Sequence, residues 1–255
     1  MEYLSVADAR TRSGLRLVLT AGVPGPWGEA AKAVFAARNV SYLPVEQQAM
    51  QPNEELRDWT GHRNAPIACL DEEPPLTDWL DIVLLSERLG SGPSLLPDGE
   101  ADRALSLGLA MAIAGPDGLG WHRRIEMTVA ILDEPETTGT QLRAILGKYG
   151  VRPGSEVDSE ERIVSILLGL AEQLERQKAL GSSYFIGGAV TVTDIYWACF
   201  SMMLSPLPQD LNPMPDWLRP LYSAVSEKVD AAINPILIEH RDRIYGTHIA
   251  IPLDY

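Results

Sequence analysis

The chain has 255 residues, 45% of them hydrophobic and 22% charged, which is the composition of an ordinary folded protein with enough length for two modest domains. Its 35 acidic and 21 basic residues give a formal charge of −14, and no Lys/Arg-rich run interrupts it, so neither nucleic acid nor an anionic membrane is an expected partner. No apolar run reaches the length of a bilayer span, and Met1-Glu2-Tyr3-Leu4-Ser5 lacks the basic-then-apolar pattern of a secretory signal, so a cytoplasmic location is expected.

In chain order, Leu15 to Thr20 reads as a short apolar strand running into the turn-rich Ala21-Gly22-Val23-Pro24-Gly25. A helix follows, with Pro26 in its first turn and Trp27, Ala30, Ala31 and Val34 on one face. Val40 to Val45 reads as a second strand and Asn53 to Trp59 as a short helix. Ile67 to Leu70 is a third strand; Asp71-Glu72-Glu73-Pro74-Pro75 is a polar turn of the kind that joins it to a fourth. Leu80, Val83, Leu84 and Leu89 then mark a helix ending at Gly90. Cys69 and Cys199 lie in apolar stretches, as buried free thiols do. His62, His122, His240 and His248 lack ligand spacing, so no metal site is expected.

The order β-α-β-α-β-β-α spans residues 1–90, of which 1–13 form an N-terminal extension. The Gly/Pro/Ser-rich residues 91–97 read as a linker. Residues 98–255 carry almost no strand signal. A helical stripe begins at Leu105, Leu109 and Ala112, and a cleaner one runs through Ile163, Leu167, Leu170 and Leu174. Another takes Ile195, Ala198, Cys199, Met202 and Met203, announced by the capping box Thr191-Val192-Thr193-Asp194. The Pro-rich residues 206–220 read as an ordered connection anchored by Leu207, Leu211, Met214 and Trp217. The fold class is therefore α/β plus all-α.

A small thioredoxin-like domain, a proline heading its third strand, a short linker and a helical bundle together resemble a cytosolic glutathione transferase over nearly the whole chain. The most specific pieces are Asn64-Ala65-Pro66-Ile67-Ala68-Cys69-Leu70 with Leu76-Thr77-Asp78-Trp79-Leu80-Asp81-Ile82, and Thr191 to Tyr196. The resemblance implies a cis Ala65-Pro66 bond and glutathione in a cleft between the domains, its cysteinyl part paired with the backbone of Ala65. It also implies that Asp78 accepts from the ligand's ammonium, while a helix N-terminus receives its carboxylate. A homodimer and a small-molecule ligand are implied as well.

The chain departs from the family at two places. Trp79 stands where a Ser hydroxyl is usual and has only an indole N–H to offer. Gly25-Pro26-Trp27-Gly28 replaces the thiol or hydroxyl at the head of the first long helix, and no Tyr ends the first strand. Thr20 is the nearest hydroxyl, and the alternatives to it are backbone N–H groups at Gly25 to Gly28, with Trp27 lining the site or packing in the core. Trp121, His122, Arg123 and Arg124 are candidates for a second-substrate site that holds an anion; surface salt bridging is the alternative. Two functions follow from the resemblance: conjugation of glutathione, or a related acidic thiol, to a small electrophile, or a non-catalytic binding or assembly module that keeps the fold without the chemistry.

Overall fold

The computed structural model describes residues 1–129 and 151–255. They divide into two compact units. The first comprises Met1–Leu95, Leu207–Asp216 and Tyr245–Tyr255; the second comprises Leu96–Pro206 and Trp217–Ile244.

The first unit is thioredoxin-like. It contains α1 (Val6–Arg10), β1 (Leu15–Thr20), α2 (Pro26–Ala37), β2 (Leu43–Gln47), α3 (Glu54–Thr60), β3 (Ile67–Leu70) and α4 (Trp79–Leu89). The strand order is β2-β1-β3, with β1 parallel to β2 and antiparallel to β3. Side chains alternate across a strand, so Val18 joins Val45, Ile67, Cys69, Leu56 and Ala9 in one core, while Leu19 approaches Gly28 of α2. Cys69 here and Cys199 in the second unit are buried and are not joined in a disulfide.

Two strands differ from their sequence reading. The second begins at Leu43 instead of Val40, because the Val40 N–H bonds back to Phe35 O and closes the end of α2. The fourth strand shrinks to one antiparallel bridge in which Ala68 and Leu76 exchange N–H···O bonds of 2.9 Å. Pro74 and Pro75 have no N–H to extend that ladder, and Asp78 starts α4 two residues later. On the opposite edge, Leu4 bridges to Val45 of β2 and widens the sheet by one residue.

The second unit is helical: α5 (Glu100–Ala114), α6 (Leu119–Val129), α7 (Ser155–Ala179), α8 (Val192–Ser201), α9 (Leu218–Ser223), α10 (Glu227–Ala232) and most of α11 (Pro235–His248). All ten residues of α8 are buried, so it forms the centre of the bundle. The stripe Ile163, Leu167, Leu170, Leu174 is buried on α7 as expected.

On α5 the buried face is Ser106, Ala110, Ile113 and Ala114, in place of the expected Leu105, Leu109 and Ala112. Small side chains let α5 meet α8 closely, and the Thr193 hydroxyl donates to Ser106 O at 2.9 Å. Trp217 is 60% exposed, so it does not anchor the Pro-rich connection; Leu218 is buried beside it.

Candidate functional site

In the first unit, the ends of β1 and β2 and the heads of α2, β3 and α4 carry the candidate ligand groups. Gly25 caps α2 with extended backbone (φ −69°, ψ 124°) and no side-chain cap. A Cβ placed there meets nothing within 4 Å, so neither packing nor dihedral angle requires a glycine. The Gly25 N–H bonds to Val23 O at 2.8 Å, and Pro26 has none to give. The N–H of Gly28 is thus a first-turn donor on which an anion can rest. Trp27 is half-buried in the same turn.

Glu29, one residue further on, is buried and paired with Lys32 at 2.8 Å. Burial holds its carboxyl above the ordinary value, against the opposing pull of Lys32. Burial also pushes the nearby Tyr42 hydroxyl up to about 12 and the Cys69 thiol up to about 11, so neither supplies an anion at neutral pH.

The Thr20 hydroxyl donates to Gln47 Oε1 at 2.7 Å. Gln47 cannot reverse this bond by flipping its amide, since its Nε2 donates to Gln48 O at 2.9 Å and to Arg63 O at 3.3 Å. The Thr20 proton is therefore committed inward, and only its lone pairs remain for a ligand. Gln47 ties together the end of β1, the end of β2 and the loop before β3. No motif singles it out in the sequence, although a Gln two residues after Val45, and so on the same buried face of the strand, is the signal that could mark it.

The Ala65-Pro66 bond is cis. Among the described residues, neither the N–H nor the C=O of Ala65 is engaged in a hydrogen bond. Asp78 is exposed and caps α4, its Oδ1 accepting from the Leu80 N–H at 2.8 Å. Trp79 is buried, as a packing residue is.

In the second unit, Trp121, His122, Arg123 and Arg124 are consecutive on α6 but do not act together. Arg123 is 1% exposed and donates to Met203 O (2.9 Å), Ala224 O (3.0 Å) and Glu126. It is a structural tie, withdrawn from any ligand, which corrects its place among the second-substrate candidates. His122 is held between Ser159 Oγ (3.1 Å) and Asp117 Oδ1 (3.0 Å). That hydrogen bond, with Arg162 close by, lowers the Asp117 carboxyl. Trp121 and Arg124 are half-buried. Among the described residues no group of His, Cys, Asp or Glu is disposed to hold a metal ion, and no helix is long and apolar enough to cross a membrane.

No protein-family model and no curated protein matches the sequence. Solved structures do match the fold. A glutathione S-transferase of Methylobacterium radiotolerans, in complex with glutathione sulfonate, superposes with a TM-score of 0.63 at 13% identity, over 92% of this chain and 92% of that one. Rice GST1 in complex with glutathione gives 0.58 at 15% identity, over 94% and 93%. Glutathione transferase Omega 3C of Trametes versicolor gives 0.57 at 12% identity, over 95% and 89%. The chain has the glutathione transferase fold: a thioredoxin-like unit joined to a helical one.

Proposed function

We propose that the chain binds glutathione, or a related acidic thiol, on the first unit. The observation that carries this reading is Ala65, whose N–H and C=O are both unengaged at the head of β3, as the backbone of an extended peptide ligand requires. Asp78 adds a carboxylate for the ligand's ammonium, and the head of α4 adds donors for its carboxylate. Two of the matched structures contain glutathione or its sulfonate, which supports the same ligand class.

Conjugation to an electrophile would rest the thiolate on the Gly28 N–H, because the Thr20 hydroxyl gives its proton to Gln47. That same commitment, with Gly25 lacking a functional group, favours the second reading: a binding module without thiol-activating chemistry.

Calorimetric titration of the full chain with reduced glutathione tests the first step. Asp78→Asn is the control, since Asn caps a helix as well as Asp but carries no charge. Saturable binding, weakened roughly tenfold by the substitution, is expected. No binding at millimolar glutathione overturns the reading. Turnover with an electrophile panel, above the uncatalysed thiol reaction, then separates enzyme from binding module.

A further inference from the structure

The second unit holds a cavity of about 470 Å³ that the glutathione reading does not use. Its apolar wall is Met127 of α6, Val157 of α7, Leu221 of α9 and Val225 in the turn after it. Val157 and Leu221 are 53% and 42% exposed, so they leave apolar surface uncovered at one place. The volume lies within the range of small-molecule sites, which are likewise mostly apolar with a few polar groups.

The polar groups of this wall differ in how far they are satisfied. Arg123 is turned to the carbonyls of Met203 (2.9 Å) and Ala224 (3.0 Å) and to Glu126 Oε2. Glu160 is spent on Lys228 (2.6 Å) and on the Ser226 hydroxyl. Two carboxylates remain open. Oε1 of Glu126 and both oxygens of Glu156 have no hydrogen-bond or ion-pair partner among the described residues. Glu126 is half-buried, and burial outweighs Arg123 in setting its carboxyl, which stands above the ordinary value. The cation that Glu126 already has does not offset its desolvation, so a second cation is what the site lacks.

We propose that this cavity binds a small organic ammonium ion with an apolar body. The ammonium donates to the unengaged oxygens of Glu126 and Glu156, and the body covers Met127, Val157 and Leu221. Anions of the same shape are repelled by those carboxylates. Arg123 does not recruit them, because its guanidinium is held by the two carbonyls and Glu126. The formal charge of −14 adds a general attraction for cations, but only the wall selects among them by shape.

The test is titration of the full chain with phenethylamine, followed by NMR of the methionine methyl groups, with phenethyl alcohol, hydrocinnamate and ethylamine as comparisons. The Met127 signal is assigned by its loss in Met127→Leu. Saturable movement of that signal is expected, with those of the exposed Met50 and Met111 unmoved. The alcohol lacks the charge, hydrocinnamate reverses it and ethylamine lacks the body, so each should bind at least about fivefold more weakly. Glu156→Gln, at an exposed position, and Glu126→Gln, whose amide oxygen still accepts from Arg123, should each weaken binding by roughly fivefold or more. No saturable movement at millimolar phenethylamine, any comparison compound binding as tightly, or binding indifferent to both substitutions each overturns the proposal. None of these outcomes bears on glutathione binding by the first unit.

Discussion

Arg123 in the helical unit and Gly25 with Ala65 in the thioredoxin-like unit sit at opposite extremes of polar satisfaction. Arg123 is enclosed, and its guanidinium is spent on backbone carbonyls and Glu126. Gly25 has room for a side chain it lacks, and Ala65 leaves both backbone groups unengaged among the described residues. A buried charge is kept only when it is fully paired, so the first region is built for stability. Unengaged backbone groups are tolerated where a ligand or water completes them, and the second region offers such groups.

Substituting Arg123 breaks this comparison most severely. Arg123→Met keeps the apolar stem but strands the carbonyls and the half-buried Glu126 carboxylate, whose pKa burial already raises. A loss of about 3–5 kcal/mol in urea unfolding is expected. A loss under about 1 kcal/mol would show that the carbonyls find other donors.

The second effect is a pH dependence at Glu29, beside the open region. Its carboxyl pKa is raised in the folded chain, so folding takes up that proton. The resulting stability is fully present below the unfolded value of about 4.3 and is lost as pH rises through the folded value. Glu29→Gln should therefore gain on the parent chain between mildly acidic and neutral pH in paired urea titrations. A difference that stays constant with pH would mean that the Lys32 pair cancels the burial.

The smallest effect sharpens the contrast. Gly25→Ser meets nothing within 4 Å and adds an N-cap hydroxyl to α2, so a gain of a few tenths of a kcal/mol is expected in thermal unfolding. If the second function is correct, the same variant also gains thiol-transfer turnover that the parent lacks. A destabilised variant would show that the loop cannot accept a side chain.

Local signals in the sequence located much of this architecture. Leu15 to Thr20, Pro26 at the head of α2, the α7 stripe and the Thr191–Asp194 capping box depend on neighbours within a few residues, and the structure places them as read. What was not legible depends on distant partners. Gln47 matters because Thr20 and Arg63 converge on it. Arg123 looked like a ligand group because the carbonyls of Met203 and Ala224 lie about 80 and 100 residues away in the chain. The α5 face was misplaced because hydrophobicity outweighed size: the close approach to α8 selects Ser106 and Ala110 over Leu105 and Leu109.

The last residues of the chain complete the first unit. Leu253 N–H bonds to Leu211 O at 2.8 Å, the Tyr255 hydroxyl donates to Asn212 Oδ1 at 2.9 Å, and Lys32 of α2 reaches Asp254 O. The first two contacts span only about 40 residues, but the third spans 222, so it closes over the whole of the helical unit. During synthesis, therefore, the strands of the first unit emerge well before the segment that bonds to its α2. Its finished state reports that the whole of the intervening chain has been made.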